Sequence, residues 1–135
     1  MQVAFAIGRI IVGLFYLVTG ANGLLNLSMQ AGYAASKGVP APVLAVIVSH
    51  LLLLLAAVCI LTGWKPVVGV AALVIFYLPV TLMIHNFWTV KDPMMKTIDM
   101  VMFMKNMALM GSALMFLAIP EPWRWTARGA AAPPP

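Results

Sequence analysis

Four long apolar stretches dominate this chain and limit what it can fold into. They occupy residues 3–25, 43–63, 67–87 and 100–119. A helix crosses the hydrocarbon core of a bilayer with about 20 mostly apolar residues, and each stretch reaches that length. No stretch alternates apolar and polar residues as the strands of a membrane β-barrel do. The pattern therefore predicts an all-α integral membrane protein: a four-transmembrane-helix bundle with both termini on the same side.

The composition excludes the other broad classes. Hydrophobic residues make up 64% of the chain and charged residues only 8%, whereas soluble proteins have about 45–50% and about 25%. The net charge of +5 comes from dispersed basic residues, which favours a lipid bilayer and no nucleic acid as the partner. The single cysteine, Cys59, excludes an intrachain disulfide and a cysteine-built metal cage.

The segments between the spans organise the rest of the chain. A short interfacial helix is predicted at 27–37, a tight turn at 64–66, and a polar-facing connection at 88–99. Residues 1–122 form the four-helix transmembrane domain, and residues 123–135 are predicted to be an interfacial and disordered C-terminal tail. The first stretch also resembles a signal peptide, but its basic residue lies inside the apolar run, which favours an uncleaved span.

Ionisable and polar side chains inside the spans are the candidate functional residues. The alternating direction of the helices places His50, His85, Lys105 and Asn106 toward the face opposite the termini, and Arg9 toward the face of the termini. Such residues are costly in a bilayer and often mark a functional site. The alternatives are that Arg9 and Lys105 extend to the interface as ordinary snorkelling side chains, and that the histidines are hydrogen-bonded structural residues.

Methionines crowd the second half of the chain, with nine of the eleven between Met83 and Met115. Thioethers and imidazoles bind Cu(I), so Met83 and His85 are candidate copper ligands. Adaptable packing is the favoured explanation, because methionine fills irregular apolar interiors. No metal site is therefore expected. No motif for a catalytic nucleophile, nucleotide or redox cofactor occurs, so the chain is not expected to catalyse a reaction alone.

The order and spacing of several short segments resemble the DoxX family of small four-helix bacterial membrane proteins. The first span has an arginine followed by G-x-F and a further glycine, and the first loop reads G-x-P-x-P. The second span ends in L-x-G, the third ends at a histidine, and the fourth reads F-x-K-N-x-x-L-x-G. These segments are Arg9–Phe15 with Gly20, Gly38–Pro42, Leu61–Gly63, His85–Trp88 and Phe103–Gly111.

Two positions depart from the family pattern. The family often has a lysine after the second glycine of the first span, where this chain has Gly23, and a glutamate within the second span. The second span here has no carboxylate, and His50 is the nearest polar substitute. The chain therefore lacks any chemistry that those two family side chains carry.

The resemblance implies a function that the residues alone do not name. It points to an accessory or anchor subunit of a membrane oxidoreductase, associated with other membrane subunits, with a possible quinone pocket and no covalent cofactor. His85 and Lys105 would then bond quinone carbonyls or relay protons. It also implies the bacterial inner membrane with cytoplasmic termini. The basic residues are divided evenly between the two sides of the membrane, so their distribution does not predict an orientation. The alternatives are a small-molecule or Cu(I) carrier and a purely structural subunit.

Overall fold

A computed structural model describes residues 2–123 of the chain, and these are helical with short connections. The helices are α1 (Gln2–Leu25), α2 (Leu27–Ser36), α3 (Pro42–Thr62), α4 (Pro66–Ile84) and α5 (Pro93–Met115), with single 3₁₀ turns at Phe87–Thr89 and Phe116–Ala118. Within residues 2–123, four helical segments are long and apolar enough to cross a membrane. The predicted all-α, four-span architecture is confirmed.

Local chemistry explains where the helices begin and end. Proline occupies the first turn of α3, α4 and α5, where its missing N–H costs no helical hydrogen bond. The Asp92 carboxylate caps α5 by accepting a hydrogen bond from the Met95 N–H at 2.8 Å. Because of this cap, α5 begins at Pro93, about two turns before the predicted start of the fourth span. Lys96 and Asp99 had lowered the hydropathy of those two turns.

The first and third helices pack closely and antiparallel. A side-chain Cβ at Gly13 would overlap Leu61, one at Gly20 would come within 2.9 Å of Leu54, and one at Gly23 would overlap His50. As residue numbers rise along α1, the contacted residues on α3 fall. Small residues at such contacts let helix backbones approach in a membrane.

The main core lies where α1, α3, α4 and α5 converge. Its buried members include Tyr16, Leu53, Ile60, Leu73 and Ala113. In contrast, many large apolar side chains on the outside of the bundle are exposed, among them Ile11 at 63%. This distribution is that of a chain surrounded by lipid rather than by water.

Aromatic side chains close the bundle near its N-terminal end. The Phe5 ring packs edge-on against Trp123 at 5.1 Å between centroids and against Phe116 at 6.1 Å. The start of α1 therefore adjoins the segment after α5, in agreement with termini on one side. Trp123 is itself buried, while the remainder of the predicted tail, residues 124–135, lies outside the described residues.

Candidate functional site

A cavity of about 350 Å³ lies beneath α2, at the end of the bundle away from the termini. Its size is at the lower end of the range for small-molecule sites. Its walls come from α2, α3 and α4, with Thr19 of α1, and are mostly apolar. The polar groups on it are few: Thr19, Gln30, Tyr33, Ser49, His50 and His85. An apolar cavity with a few polar groups suits a small, mostly apolar organic ligand.

The two predicted histidines both line this cavity, each half-buried. The Nδ1 atom of His50 lies 2.8 Å from the Val46 carbonyl oxygen. Since a carbonyl only accepts hydrogen bonds, that nitrogen carries the proton. In the neutral ring the proton-free Nε2 is then the acceptor.

His85 is oriented by a buried carboxylate. Its Nδ1 lies 3.4 Å from Oδ1 of Asp99, and the other carboxylate oxygen accepts a hydrogen bond from the Lys37 ammonium at 2.7 Å. An ionised carboxylate only accepts hydrogen bonds, so Nδ1 of His85 also carries the proton and Nε2 is the acceptor in the neutral ring.

Asp99 corrects the sequence prediction that residues 88–99 face the polar surroundings. Its side chain is only 6% exposed, and it joins α5 to the end of α2 through Lys37. Partial burial lowers the pKa of Lys37, but the hydrogen bond to Asp99 and the negative charge of Asp99 raise it more. The pKa of Lys37 therefore lies above its ordinary value of 10.5, and the ammonium stays charged at physiological pH.

The other predicted site residues lie away from the cavity. Lys105 is exposed and donates to the sulfur of Met102 at 3.2 Å. Asn106 is buried on α5 without lining the cavity. Arg9 is buried at the opposite end of the bundle, with its guanidinium 5.8 Å from the Trp123 ring centroid and 6.0 Å from that of Phe5.

The candidate copper ligands Met83 and His85 both line the cavity. Across residues 2–123, no group of three or more histidine, cysteine, aspartate or glutamate side chains is placed to hold a metal ion. A copper ion there would depend on thioether ligands in addition to the imidazoles that line the cavity.

Three buried polar residues in the spans were not singled out from the sequence. The hydroxyls of Tyr16 and Tyr77 lie 3.3 Å apart in the core, and Thr81 is 0% exposed. Tyr77 and Thr81 are one turn apart on α4, which is a spacing visible in the sequence. Nothing in the apolar run around them, however, shows which face of α4 is inward.

Gly23, one departure from the DoxX pattern, contacts His50, the polar residue nearest to the missing family glutamate. A side chain at Gly23 would overlap the His50 ring, which occupies that space against α1. Glycine at one position and histidine at the other are therefore mutually compatible, and a lysine at position 23 would require the His50 ring to move.

The comparisons with known proteins agree with the fold. The DoxX family model matches residues 4–86, more than half of the chain. The inner membrane protein YphA of Escherichia coli (strain K12) is 32% identical over 123 residues, which cover 89% of this chain and 84% of that protein. No solved structure matches significantly. Together with the four spanning helices, these matches show that the chain is a multi-pass integral membrane protein of the DoxX family.

Proposed function

We propose that this chain is an accessory or anchor subunit of a membrane oxidoreductase complex, and that the cavity under α2 binds a quinone in its reduced form. The observation that carries the proposal is the placement of His50 and His85 on one mostly apolar cavity. A quinone combines a flat apolar ring with two polar oxygens, and the cavity offers surfaces for both.

The hydrogen-bonding state of the histidines favours the quinol. Because both Nδ1 protons are held by Val46 and Asp99, Nε2 is the acceptor in each neutral ring. The Nε2 edge of His50 packs against Gly23 of α1, so His85 is the ring that suits a quinol hydroxyl. When bound, a quinol supplies electrons and releases protons on oxidation. The Asp99 carboxylate holds the His85 ring through its Nδ1 proton, which leaves Nε2 as the acceptor for a quinol hydroxyl.

A partner is required by this proposal because the chain has no motif for a redox cofactor of its own. Helices α1 and α5 support the presence of a partner. Their spanning segments have only 22% and 11% of their residues buried within the chain, so their apolar outer faces are available to another membrane subunit as well as to lipid. We place the complex in the bacterial inner membrane, as in the relative YphA, with cytoplasmic termini.

Photolabelling tests the quinol site directly. The protein in lipid nanodiscs is exposed to a reduced azidoquinone, and the labelled peptides are identified by mass spectrometry. We expect labels on α2–α4 that excess unmodified quinol prevents. His85→Leu should weaken binding about five- to tenfold, the loss of one hydrogen bond, whereas the exposed Lys96→Gln should bind as the parent does.

The outcomes separate this proposal from its alternatives. Label that quinol does not displace, or equal binding by His85→Leu and Lys96→Gln, would contradict a quinol site. Stoichiometric copper lost on combining Met83→Leu with His85→Gln would instead support a Cu(I) carrier. If the substitutions change only assembly or stability, the chain is a structural subunit.

The predicted partner has a separate test. Native mass spectrometry of the protein, extracted gently from its own membranes, should show a defined complex containing an oxidoreductase. A lone monomer or homo-oligomer would contradict the role of accessory subunit.

A further inference from the structure

The hydroxyl of Thr81 has no hydrogen-bond partner among the described residues, although the residue is 0% exposed. Hydroxyls elsewhere on the helices donate to the carbonyl one turn back: Thr62 at 2.6 Å, Thr97 at 2.9 Å and Ser112 at 2.8 Å. Thr81 does not use that ordinary solution. A buried polar group without a protein partner commonly binds internal water.

Thr81 lies in the middle of a polar face of α4. Tyr77, Thr81 and His85 follow one another at four-residue intervals, so they lie on one side of the helix. Each step along that side is about 6 Å. Tyr77 is paired with Tyr16 at one end, and His85 with Asp99 at the other.

The buried face of α5 runs alongside in the opposite direction. Its buried residues are Asp99, Asn106 and Ala113, at seven-residue intervals. Asp99 bonds His85, and Ala113 belongs to the same core cluster as Tyr77. From the His85–Asp99 contact, Thr81 lies four residues, about 6 Å, along α4, and Asn106 lies seven residues, about 10 Å, along α5. The Asn106 amide therefore falls between the levels of Thr81 and Tyr77.

We propose that the α4–α5 interface holds internal water beside Thr81 and Asn106, and that this water links the Lys37–Asp99–His85 cluster to the Tyr16–Tyr77 pair. Water molecules with hydrogen bonds of about 2.8 Å, together with the Asn106 amide, would extend from the Thr81 hydroxyl toward both ends of this face. Hydroxyl, amide and water each donate and accept hydrogen bonds. The resulting chain would carry protons between the membrane face bearing Lys37 and the middle of the bundle.

This inference stands apart from the proposed quinol site. The path runs along the α4–α5 interface, whereas the cavity lies among α2, α3 and α4, and His85 belongs to both. The path therefore remains testable if the cavity binds no quinol.

The effect of replacing Thr81 with valine on the thermal midpoint depends on whether internal water bonds the Thr81 hydroxyl. Valine has nearly the same shape, so no cavity is created. If water bonds the hydroxyl, Thr81→Val lowers the thermal midpoint by about 2–8 °C. If no water bonds the hydroxyl, its removal leaves the thermal midpoint unchanged or raises it, which would overturn the proposal. Thr97→Val, at an exposed hydroxyl bonded within its own turn, is the matched control.

A second measurement detects the water itself. X-ray radiolysis of the full-length protein in nanodiscs, in ¹⁸O-labelled water, marks side chains that lie beside bound water. We expect ¹⁸O on Tyr77 or Tyr16 in the parent protein, and several-fold less in Thr81→Val. Absence of label on both tyrosines, or unchanged labelling in the variant, would overturn the proposal.

Discussion

Asp99 is the side chain on which three separate elements depend. It bonds Lys37 at the end of α2 and His85 at the end of α4, while belonging to α5 itself. An isolated buried carboxylate is costly, and paired partners reduce that cost. The cluster therefore holds α2, which covers the cavity, to the spanning bundle.

Removing the Lys37 charge should destabilise the protein and change its response to alkali. Lys37→Met leaves Asp99 buried without its closest partner, a loss of about 1–3 kcal/mol. Because the folded protein raises the pKa of Lys37, the stability from this pair is present below the unfolded pKa and is lost as pH rises through the folded pKa. Thermal midpoints measured across pH 9–12 should show this decline in the parent and not in Lys37→Met.

The control for this prediction is the double variant. Lys37→Met with Asp99→Asn removes both charges and should recover part of the lost stability, since no buried charge is then left unpaired. Strictly additive losses from the two single substitutions would contradict direct pairing.

Among the helices, the contact of α1 with α3 sets the position of one wall of the cavity. Gly23 is buried directly against the His50 ring. This contact brings His50, whose ring belongs to the cavity, up to the backbone of α1. Glycine is therefore needed at position 23 both for the close packing of α1 on α3 and for the placement of the His50 ring at the cavity.

Gly23→Ala should displace the His50 ring and lower stability by about 1–3 kcal/mol through overpacking. Adding His50→Ala should relieve the overlap, so that the double variant is more stable than the sum of the single changes predicts. Gly8→Ala is the matched control, because no atom lies within 4 Å of a Cβ built there. Thermal unfolding in nanodiscs measures the parent, the two single variants, the double variant and the control. Equal effects at Gly8 and Gly23 would contradict the contact.

The whole molecule is a bundle with two chemically different ends. Aromatic rings and the buried Arg9 close one end, while the cavity, the histidines and the Lys37–Asp99 pair occupy the other. The basic residues on the connections are equally numerous at the two ends, so they do not predict an orientation in the membrane.

Cysteine accessibility will determine the orientation. In a Cys59→Ala background, Lys91→Cys and Lys65→Cys place single exposed thiols at opposite ends of the spans. With cytoplasmic termini, a membrane-impermeant maleimide added outside intact inner membranes should label Lys91→Cys at once, and Lys65→Cys only after permeabilisation. The reverse pattern would place the termini on the other side.

Hydropathy along the chain was sufficient to predict the class of fold, the four spans, the short helix over the first loop, and the end of the bundle that carries most of the polar residues. These properties are local, because about 20 consecutive apolar residues are enough to specify a membrane helix. His50 and His85 were recognised for the same reason, as polar residues in apolar runs.

Only the tertiary structure decided which side chains meet. Lys37 pairs with Asp99 across 62 positions, and Tyr16 with Tyr77 across 61. Such contacts depend on the rotation and axial register of one helix against another, which a uniformly apolar helix does not reveal in its pattern. For that reason Asp99 was predicted to face the polar surroundings, and the unpartnered hydroxyl of Thr81 was visible only after α4 and α5 were packed together.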